Sequence, residues 1–125
     1  MNAKTVIHVC NLFDVKSGNL LPEMSLFVEN EFITEVVEGY VPPDPEDIYI
    51  DLTGYYAFPG FIDMHVHLTS QSSNRAYLEN FTLNSADYAI RATKNAEKTL
   101  LAGFTTVRNL GDFDSITISL RNAIN

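Results

Sequence analysis

Two histidines separated by one residue, His65 and His67, are the side chains in this sequence best suited to chemistry. They stand near the end of residues 58–68, a stretch that predicts a strand introduced by Pro59-Gly60. Because side chains alternate between the two faces of a strand, both imidazoles would face the same way and reach one metal ion at about 2.0–2.1 Å. A His-x-His pair alone is a weak signal, so its neighbours decide the interpretation.

The neighbours of the two histidines favour a metal site. Alternation predicts one apolar face, made of Ile62, Met64, Val66 and Leu68. It predicts a second face with ionisable groups, made of Phe61, Asp63, His65 and His67. A parallel strand is normally apolar on both faces, and burying an unpaired polar group costs roughly 2–7 kcal/mol. A divalent cation would compensate, with Asp63 expected to support the site through hydrogen bonds and not as a ligand.

Other candidate residues have simpler explanations. His8 shares its predicted face with apolar neighbours, which favours a packing histidine with satisfied hydrogen bonds. Arg108 could bind a substrate carboxylate through two parallel hydrogen bonds, but an internal ion pair with Asp112 or Asp114 explains this residue at least as well. Cys10 is the single cysteine, which excludes an internal disulfide.

The first half of the sequence predicts β-structure. Short strands are expected at residues 5–11, 24–28, 32–37 and 48–52. Residues 29–31 are expected to form the turn of a hairpin, and Gly54 to end the fourth strand. Residues 39–47 contain three prolines and three acidic residues, which predicts an exposed loop.

The second half predicts alternating strands and helices. Strands are expected at residues 58–68 and 104–110, and helices from Ser85 to about Leu101 and over residues 115–125. Ser85 is predicted to be the N-cap of the first helix, while the polar residues 69–81 predict a loop. This order predicts βα units with a parallel sheet, and therefore an α/β fold.

Composition limits the class of protein. The 125 residues carry a formal net charge of −8, with 46% hydrophobic and 19% charged residues, which is typical of a soluble globular chain. Such a chain, without a Lys/Arg stripe, would repel phosphates, so no nucleic-acid partner is expected. No stretch approaches the roughly 20 apolar residues of a membrane span, and no secretory signal is recognisable. We therefore expect no membrane partner and a cytoplasmic location.

Two stretches resemble the amidohydrolase superfamily of metal-dependent hydrolases. Residues 58–68, FPGFIDMHVHL, closely resemble the superfamily signature at its first barrel strand. Residues 95–108, NAEKTLLAGFTTVR, resemble the following helix and second strand. The likeness is greatest to the prolidase-like and imidazolonepropionase-like branch, and it extends through the N-terminal strands. Asn109 departs from the acidic residue that relatives often carry at that position.

The resemblance implies a fold and a division into domains. Residues 1–57 would form part of a small β-sandwich domain, and residues 58–125 would begin a (β/α)8 barrel of the TIM type with its first two βα units. Since such a barrel takes about 250 residues, we expect it to be incomplete in this sequence. His65 and His67 would be metal ligands. The family's other ligands and its catalytic aspartate lie on later strands, so no catalytic residue is expected here.

The resemblance also implies the chemistry of the complete protein. One or two divalent ions, zinc being the first expectation, would activate a water molecule that hydrolyses a C–N bond. The substrate would be a small molecule such as a dipeptide, an N-acyl amino acid or a cyclic amide. The family's aspartate would pass the proton to the leaving amine. The chain alone is expected to be inactive, and to form a homo-oligomer or associate with the remainder of the protein.

Two other hypotheses stay open from the sequence. The chain could be a non-catalytic piece that functions only by association, with a partner covering its open strand edges. It could instead be a small self-contained metal-binding module. That module would need further ligands from His8 or from the acidic loop at residues 44–47.

Overall fold

The computed structural model describes residues 3–124, which divide into two compact units, one ending at Pro59 and one beginning at Gly60. The first unit holds β1 (Thr5–Asp14), β2 (Asn19–Glu29), β3 (Phe32–Glu38) and β4 (Ile48–Ala57). The second holds β5 (Phe61–Val66), α1 (Ala76–Thr82), α2 (Ser85–Leu101), β6 (Phe104–Asn109) and α3 (Ile116–Ile124). A β-sheet unit followed by strands that alternate with helices is the predicted α/β fold. No helix within residues 3–124 combines the length and apolar character that crossing a bilayer requires.

The first unit contains a four-stranded sheet in the order β3-β2-β1-β4. β1 lies inside the sheet, antiparallel to β2 and parallel to β4. This interior place fits its sequence, because Val6 and Val9 are almost fully buried. The predicted hairpin of β2 and β3 is confirmed, with Asn30 in the turn at a left-handed φ of 56°.

A tight turn joins β1 to β2. The Asp14 carboxylate accepts hydrogen bonds from the amides of Lys16 and Ser17, each at 3.1 Å. Gly18 adopts a left-handed φ of 72° and donates its amide to the Asp14 carbonyl at 2.8 Å. Hydrogen bonding from Ser17, followed by that from Lys16, lowers the pKa of Asp14. The turn thereby fixes the register of β1 against β2.

β4 continues past its predicted end. The prediction stopped this strand before Gly54, but it runs to Ala57. Its ladder with β1 shifts register after the pair Val9 and Leu52, which places Gly54 in an irregular part of the strand. A Cβ at Gly54 would meet no heavy atom within 4 Å. Glycine therefore marks a bulge here, which a strand accommodates without ending.

The second unit packs helices against a parallel pair of strands, β5 and β6. Its buried core consists of Leu68, Tyr88, Ala92 and Ile116. Val66 and Val107, from the two strands, pack against this core together with Ala89 and Ala96 of α2. The apolar stripe that helical spacing predicts on α2, made of Ala89, Ala92, Ala96 and Leu100, packs on the core through its three alanines, whereas Leu100 is 58% exposed.

The prediction of a loop over residues 69–81 is wrong at its end, where α1 lies. No residue of α1 is buried, and its N-cap residue, Arg75, makes no side-chain capping hydrogen bond. Contacts with α2 hold the helix instead. Arg91 donates to the Glu79 carboxylate at 2.7 Å, and the Tyr88 hydroxyl donates to Asn80 at 3.4 Å. These contacts come from the next helix and not from within α1, so the pattern of α1 itself carries no signal for a helix.

The N-cap of α2 is Asn84 and not Ser85, which corrects the prediction. The Asn84 side-chain oxygen accepts hydrogen bonds from the amides of Ala86 at 2.8 Å and Asp87 at 3.2 Å. In return, the Asp87 carboxylate accepts from the Asn84 amide at 3.0 Å. These reciprocal bonds form a capping box, which satisfies amides at the helix start that have no partner within the helix.

Replacing Asn84 with alanine should lower the free energy of unfolding of the second unit by about 1 kcal/mol, because two helix-terminal amides lose their acceptor. Urea-induced unfolding of the full chain would measure the loss. Asn84→Asp is the matched control, since aspartate keeps the acceptor and should retain the stability. An equal loss in both variants would contradict the capping role.

Candidate metal site

The two histidines singled out by the sequence lie together at the carboxyl end of β5. His65 lies within the strand, which ends at Val66, and His67 is the first residue after it. Their ring centroids are 5.3 Å apart with the planes at 63°. Both side chains are exposed, and neither imidazole has a hydrogen-bond partner among residues 3–124. Each ring therefore has a nitrogen that can bind an outside ligand.

The ring separation fits a shared cation. Two imidazoles that bind one tetrahedral ion at about 2.0–2.1 Å would place their centroids about 5.2 Å apart, close to the 5.3 Å observed. Neutral imidazole nitrogen is also a common ligand of zinc and of other transition metals. Catalytic zinc usually takes three protein ligands. Within the described part of the chain, no group of three or more His, Cys, Asp or Glu side chains is arranged to hold an ion.

Asp63 does not share a face with the histidines, which corrects the predicted alternation. The register of β5 against β6 shifts between Asp63 and Val66. Asp63 pairs with Val107, which packs on the helical core, and it lines a cavity of about 260 Å³ together with side chains of α2. Its carboxylate accepts a hydrogen bond of 3.0 Å from the backbone amide of His65. Asp63 thus contacts the backbone of a histidine and not its imidazole.

Arg108 lies beside the histidine pair on the neighbouring strand. Its Nε donates to the Met64 carbonyl at 2.9 Å, one residue before His65. The predicted alternative of an ion pair with Asp112 or Asp114 is wrong, because the ion pair found among residues 3–124 joins Arg91 to Glu79. Asp112 instead accepts hydrogen bonds from Thr117.

His8 is a packing histidine, as predicted. It is 6% exposed in the first unit, with Nε2 2.8 Å from the Val41 carbonyl oxygen and Nδ1 3.1 Å from the Tyr49 hydroxyl. Since a carbonyl only accepts, Nε2 donates to Val41, and in the neutral ring Nδ1 accepts from Tyr49. The Tyr40 ring stacks on the imidazole at 5.0 Å. Both nitrogens are used, which removes His8 as a ligand of a self-contained metal module.

A serine and an aspartate flank His8 across the sheet, but they do not form a catalytic triad. Ser25 and Asp51 are the register partners of His8 on β2 and β4. The Ser25 hydroxyl is fully buried, donates to the Gly39 carbonyl at 2.6 Å and accepts from the Val41 amide at 2.9 Å. A nucleophilic serine must instead bond to the histidine and face a substrate. Ser25 therefore has a structural role, in which it holds the segment that follows β3 against β2.

Sequence reasoning missed the residues that hold the site in place. Asn109 uses its side-chain oxygen to accept from the Leu68 amide at 2.9 Å, and its amide donates to the Gly111 carbonyl at 2.7 Å. Asn95 of α2 donates to the Leu68 carbonyl at 2.7 Å. The residue after His67 is thus tied to both neighbouring elements. The one available signal for this role was that Asn109 stands where relatives often carry an acidic residue. An amide side chain can donate a hydrogen bond, which a carboxylate cannot.

The comparison with protein families decides what kind of protein carries this site. The model of the amidohydrolase family matches residues 56–125, the stretch that contains both histidines. The chain belongs to the amidohydrolase family. Among curated relatives of this amidohydrolase chain, an adenine deaminase of Moorella thermoacetica is 38% identical over 68 residues, which are 54% of this chain and 11% of the relative.

Solved structures of similar proteins cover nearly the whole amidohydrolase chain. A Xaa-Pro dipeptidase with methionine bound in its active site is 39% identical with a TM-score of 0.86, over 98% of this chain and 30% of that chain. A prolidase complexed with N-methylphosphonate-L-proline is 31% identical with a TM-score of 0.75, over 98% of this chain and 29% of that chain. The chain thus spans less than a third of the length of each of these relatives. The predicted likeness to prolidases is confirmed.

Proposed function

We propose that this chain supplies two metal ligands, His65 and His67, to an amidohydrolase that hydrolyses C–N bonds. The observation that supports this most directly is the pair of unpartnered imidazoles 5.3 Å apart, within the stretch that matches the family. A bound divalent cation, for which zinc is our proposal, supplies a water of pKa about 7 and polarises the scissile carbonyl. The chain's own residues hold that ion and orient the substrate beside it.

Asp63 and Arg108 are proposed to have separate supporting roles. The Asp63 carboxylate fixes the backbone amide of His65 at 3.0 Å, which limits rotation of the irregular segment that carries the first ligand. Arg108 uses Nε to bond the Met64 carbonyl, which leaves its terminal nitrogens for a substrate carboxylate. A dipeptide fits this arrangement, because its carboxylate lies a short distance from its amide carbonyl. Similarity to a Xaa-Pro dipeptidase and a prolidase supports the same substrate class.

A complete centre of this type needs more ligands than two imidazoles. We propose that residues 1–57 belong to a small β-sandwich domain and residues 58–125 to a barrel with one or two metal ions. The further ligands and the catalytic aspartate would come from protein outside residues 3–124. The chain by itself is then expected to lack hydrolytic activity, because its two imidazoles are fewer than the three protein ligands usual at catalytic zinc. Hydrolysis of dipeptides by the purified chain, if it depended on added metal, would refute that expectation.

Metal content of the purified chain, measured by mass spectrometry after incubation with zinc and desalting, tests the proposal directly. The chain should retain close to one ion, and the His65→Ala/His67→Ala variant should retain none. His8→Gln is the matched control, because it removes an imidazole whose two nitrogens are both used in hydrogen bonds inside the first unit. This variant should retain as much zinc as the unchanged chain does. Absence of metal from the unchanged chain, or equal metal in the double variant, would refute the role of the pair.

A second candidate is a non-catalytic role through association with a partner. Ile62 and Met64 of β5 are 61% and 55% exposed in the described chain, and β5 pairs only with β6 there. An uncovered apolar strand favours pairing with another chain. Size-exclusion chromatography with light scattering would then show an oligomer, and a monomer at high concentration would count against association.

A further inference from the structure

Gly111, in the loop between β6 and α3, lies directly against the ring of His67. A Cβ placed on Gly111 would be 2.8 Å from both Cε1 and Nδ1 of His67, closer than side chains tolerate. Left-handed φ angles occur at other described glycines, namely Gly18, Gly39 and Gly103. Gly111 has no left-handed φ, so what distinguishes this position is its closeness to the imidazole, which an added side chain would have to push aside.

Hydrogen bonds tie the start of this loop to the residues that flank His67. The Leu110 amide donates to the Val66 carbonyl at 3.1 Å, on one side of the histidine. On its other side, the Leu68 amide donates to the Asn109 side chain, whose own amide group donates to the Gly111 carbonyl. The two backbone segments are thus joined on both sides of the contact, so the distance between the backbones of Gly111 and His67 is fixed.

The end of the same loop is held as firmly. The Asp112 carboxylate accepts from the amide and hydroxyl of Thr117 at 2.8 and 2.6 Å, and the Ser85 hydroxyl donates to Asp114. Asp114 and Ser115 adopt left-handed φ angles of 52° and 57°, a region that few non-glycine residues occupy. These contacts keep the loop from moving away from the imidazole.

We propose that Gly111 is a positioning residue, which holds the His67 imidazole beside His65 so that the pair can bind a divalent cation. This inference rests on the proposed function, in which both histidines are metal ligands. The loop covers the Nδ1–Cε1 edge of the ring, which leaves Nε2 as the nitrogen directed away from it. Nε2 of His67 would therefore be the nitrogen that binds the cation.

Replacing Gly111 with alanine in the full chain tests the proposal. The added methyl should displace the imidazole, because a ring on a rotatable side chain moves more easily than the braced backbone. Competition with a chromophoric chelator should show zinc affinity reduced about 10- to 100-fold. In the metal-free protein, the nuclear Overhauser effect between His67 Hε1 and the Gly111 Hα should be present and should be lost in the variant. The urea midpoint should change little.

Two glycine variants separate positioning from simple destabilisation. A Cβ at Gly54 would meet nothing within 4 Å, so Gly54→Ala should alter neither zinc affinity nor the His67 contact. A Cβ at Gly60 would clash with Thr105, so Gly60→Ala should lower the urea midpoint while the folded fraction keeps the His67 contact. If Gly111→Ala does not fold, the same change in a His67→Ala background should fold, since the ring it displaces is gone.

The outcomes distinguish this inference from the proposed function. An unchanged chain that binds no zinc would refute the metal role. The nuclear Overhauser effect between His67 and Gly111 in the metal-free protein would still decide whether Gly111 positions the ring. Unaltered His67 geometry in Gly111→Ala would overturn the inference. Reduced zinc affinity with unaltered His67 geometry would also overturn it, because the loss would then arise elsewhere.

Discussion

Replacing Gly60 with alanine is expected to lower the free energy of unfolding of the second unit by about 3 kcal/mol or more. The new Cβ would lie 2.0 Å from Oγ1, 2.3 Å from Cγ2 and 2.7 Å from Cβ of Thr105. Rotation of Thr105 moves the first two atoms but leaves its Cβ in place. The backbones must therefore separate at the point where β5 and β6 begin, which disturbs the pairing of both strands. Hydrogen exchange of the β5 and β6 amides would measure the loss.

Two further variants give this prediction its controls. Gly54→Ala makes the same chemical change where nothing lies within 4 Å, and it should change stability by less than about 0.5 kcal/mol. Thr105→Ala removes two of the three clashing atoms, so the double variant with Gly60→Ala should recover part of the loss. Equal stability of Gly60→Ala and Gly54→Ala would show that the close approach of the two strands is not needed.

Replacing His8 with alanine should lower the free energy of unfolding of the first unit by about 3 kcal/mol. The change removes a buried ring and leaves the Val41 carbonyl and the Tyr49 hydroxyl without their hydrogen-bond partner. A lost buried partner costs about 1–3 kcal/mol, and the cavity left by the ring adds to this. Hydrogen exchange of the β1, β2 and β4 amides would report on this unit separately from the second.

The variant His8→Gln distinguishes a hydrogen-bonding role from simple filling of space. Glutamine can still donate toward the Val41 carbonyl, so its loss of stability should be clearly smaller than that of alanine. Neither variant should change the zinc bound by folded protein, since His8 belongs to the first unit and both its nitrogens are engaged. A fall in bound zinc on removal of His8 would revive the hypothesis of a self-contained metal module.

Most secondary structure could be predicted where the signal is local. The hairpin of β2 and β3 has polar turn residues between two apolar runs, and the structure forms it with Asn30 at positive φ. The alanine stripe of α2 has helical spacing, and its residues do lie against the core. The prediction failed for α1, which lacks a side-chain cap and depends on contacts with Arg91 and Tyr88 of α2. It also failed at Gly54, because a register shift accommodates the glycine within the strand.

The closeness of the two imidazoles was predictable, but the setting around them was not. The spacing of His65 and His67 indicated a shared metal ion, and their rings do lie together. The strict alternation behind that prediction misplaced Asp63, because β5 shifts register between Asp63 and Val66. A bulge of this kind depends on how two strands pair, and a single strand read by itself does not reveal it.

The sequence by itself determined the family, the alternation of strands and helices in the second unit and the identity of the two candidate ligands. These features depend on residue type and short-range spacing, so they can be inferred from the sequence without knowing which residues pack together in the fold. Tertiary structure alone decided that Gly60 lies against Thr105, that Gly111 lies against the His67 ring and that Asn109 links the Leu68 amide to the Gly111 carbonyl. The reason is physical. Each of these depends on the distance between atoms separated by more than 40 positions or held by a folded loop, and only packing sets such distances.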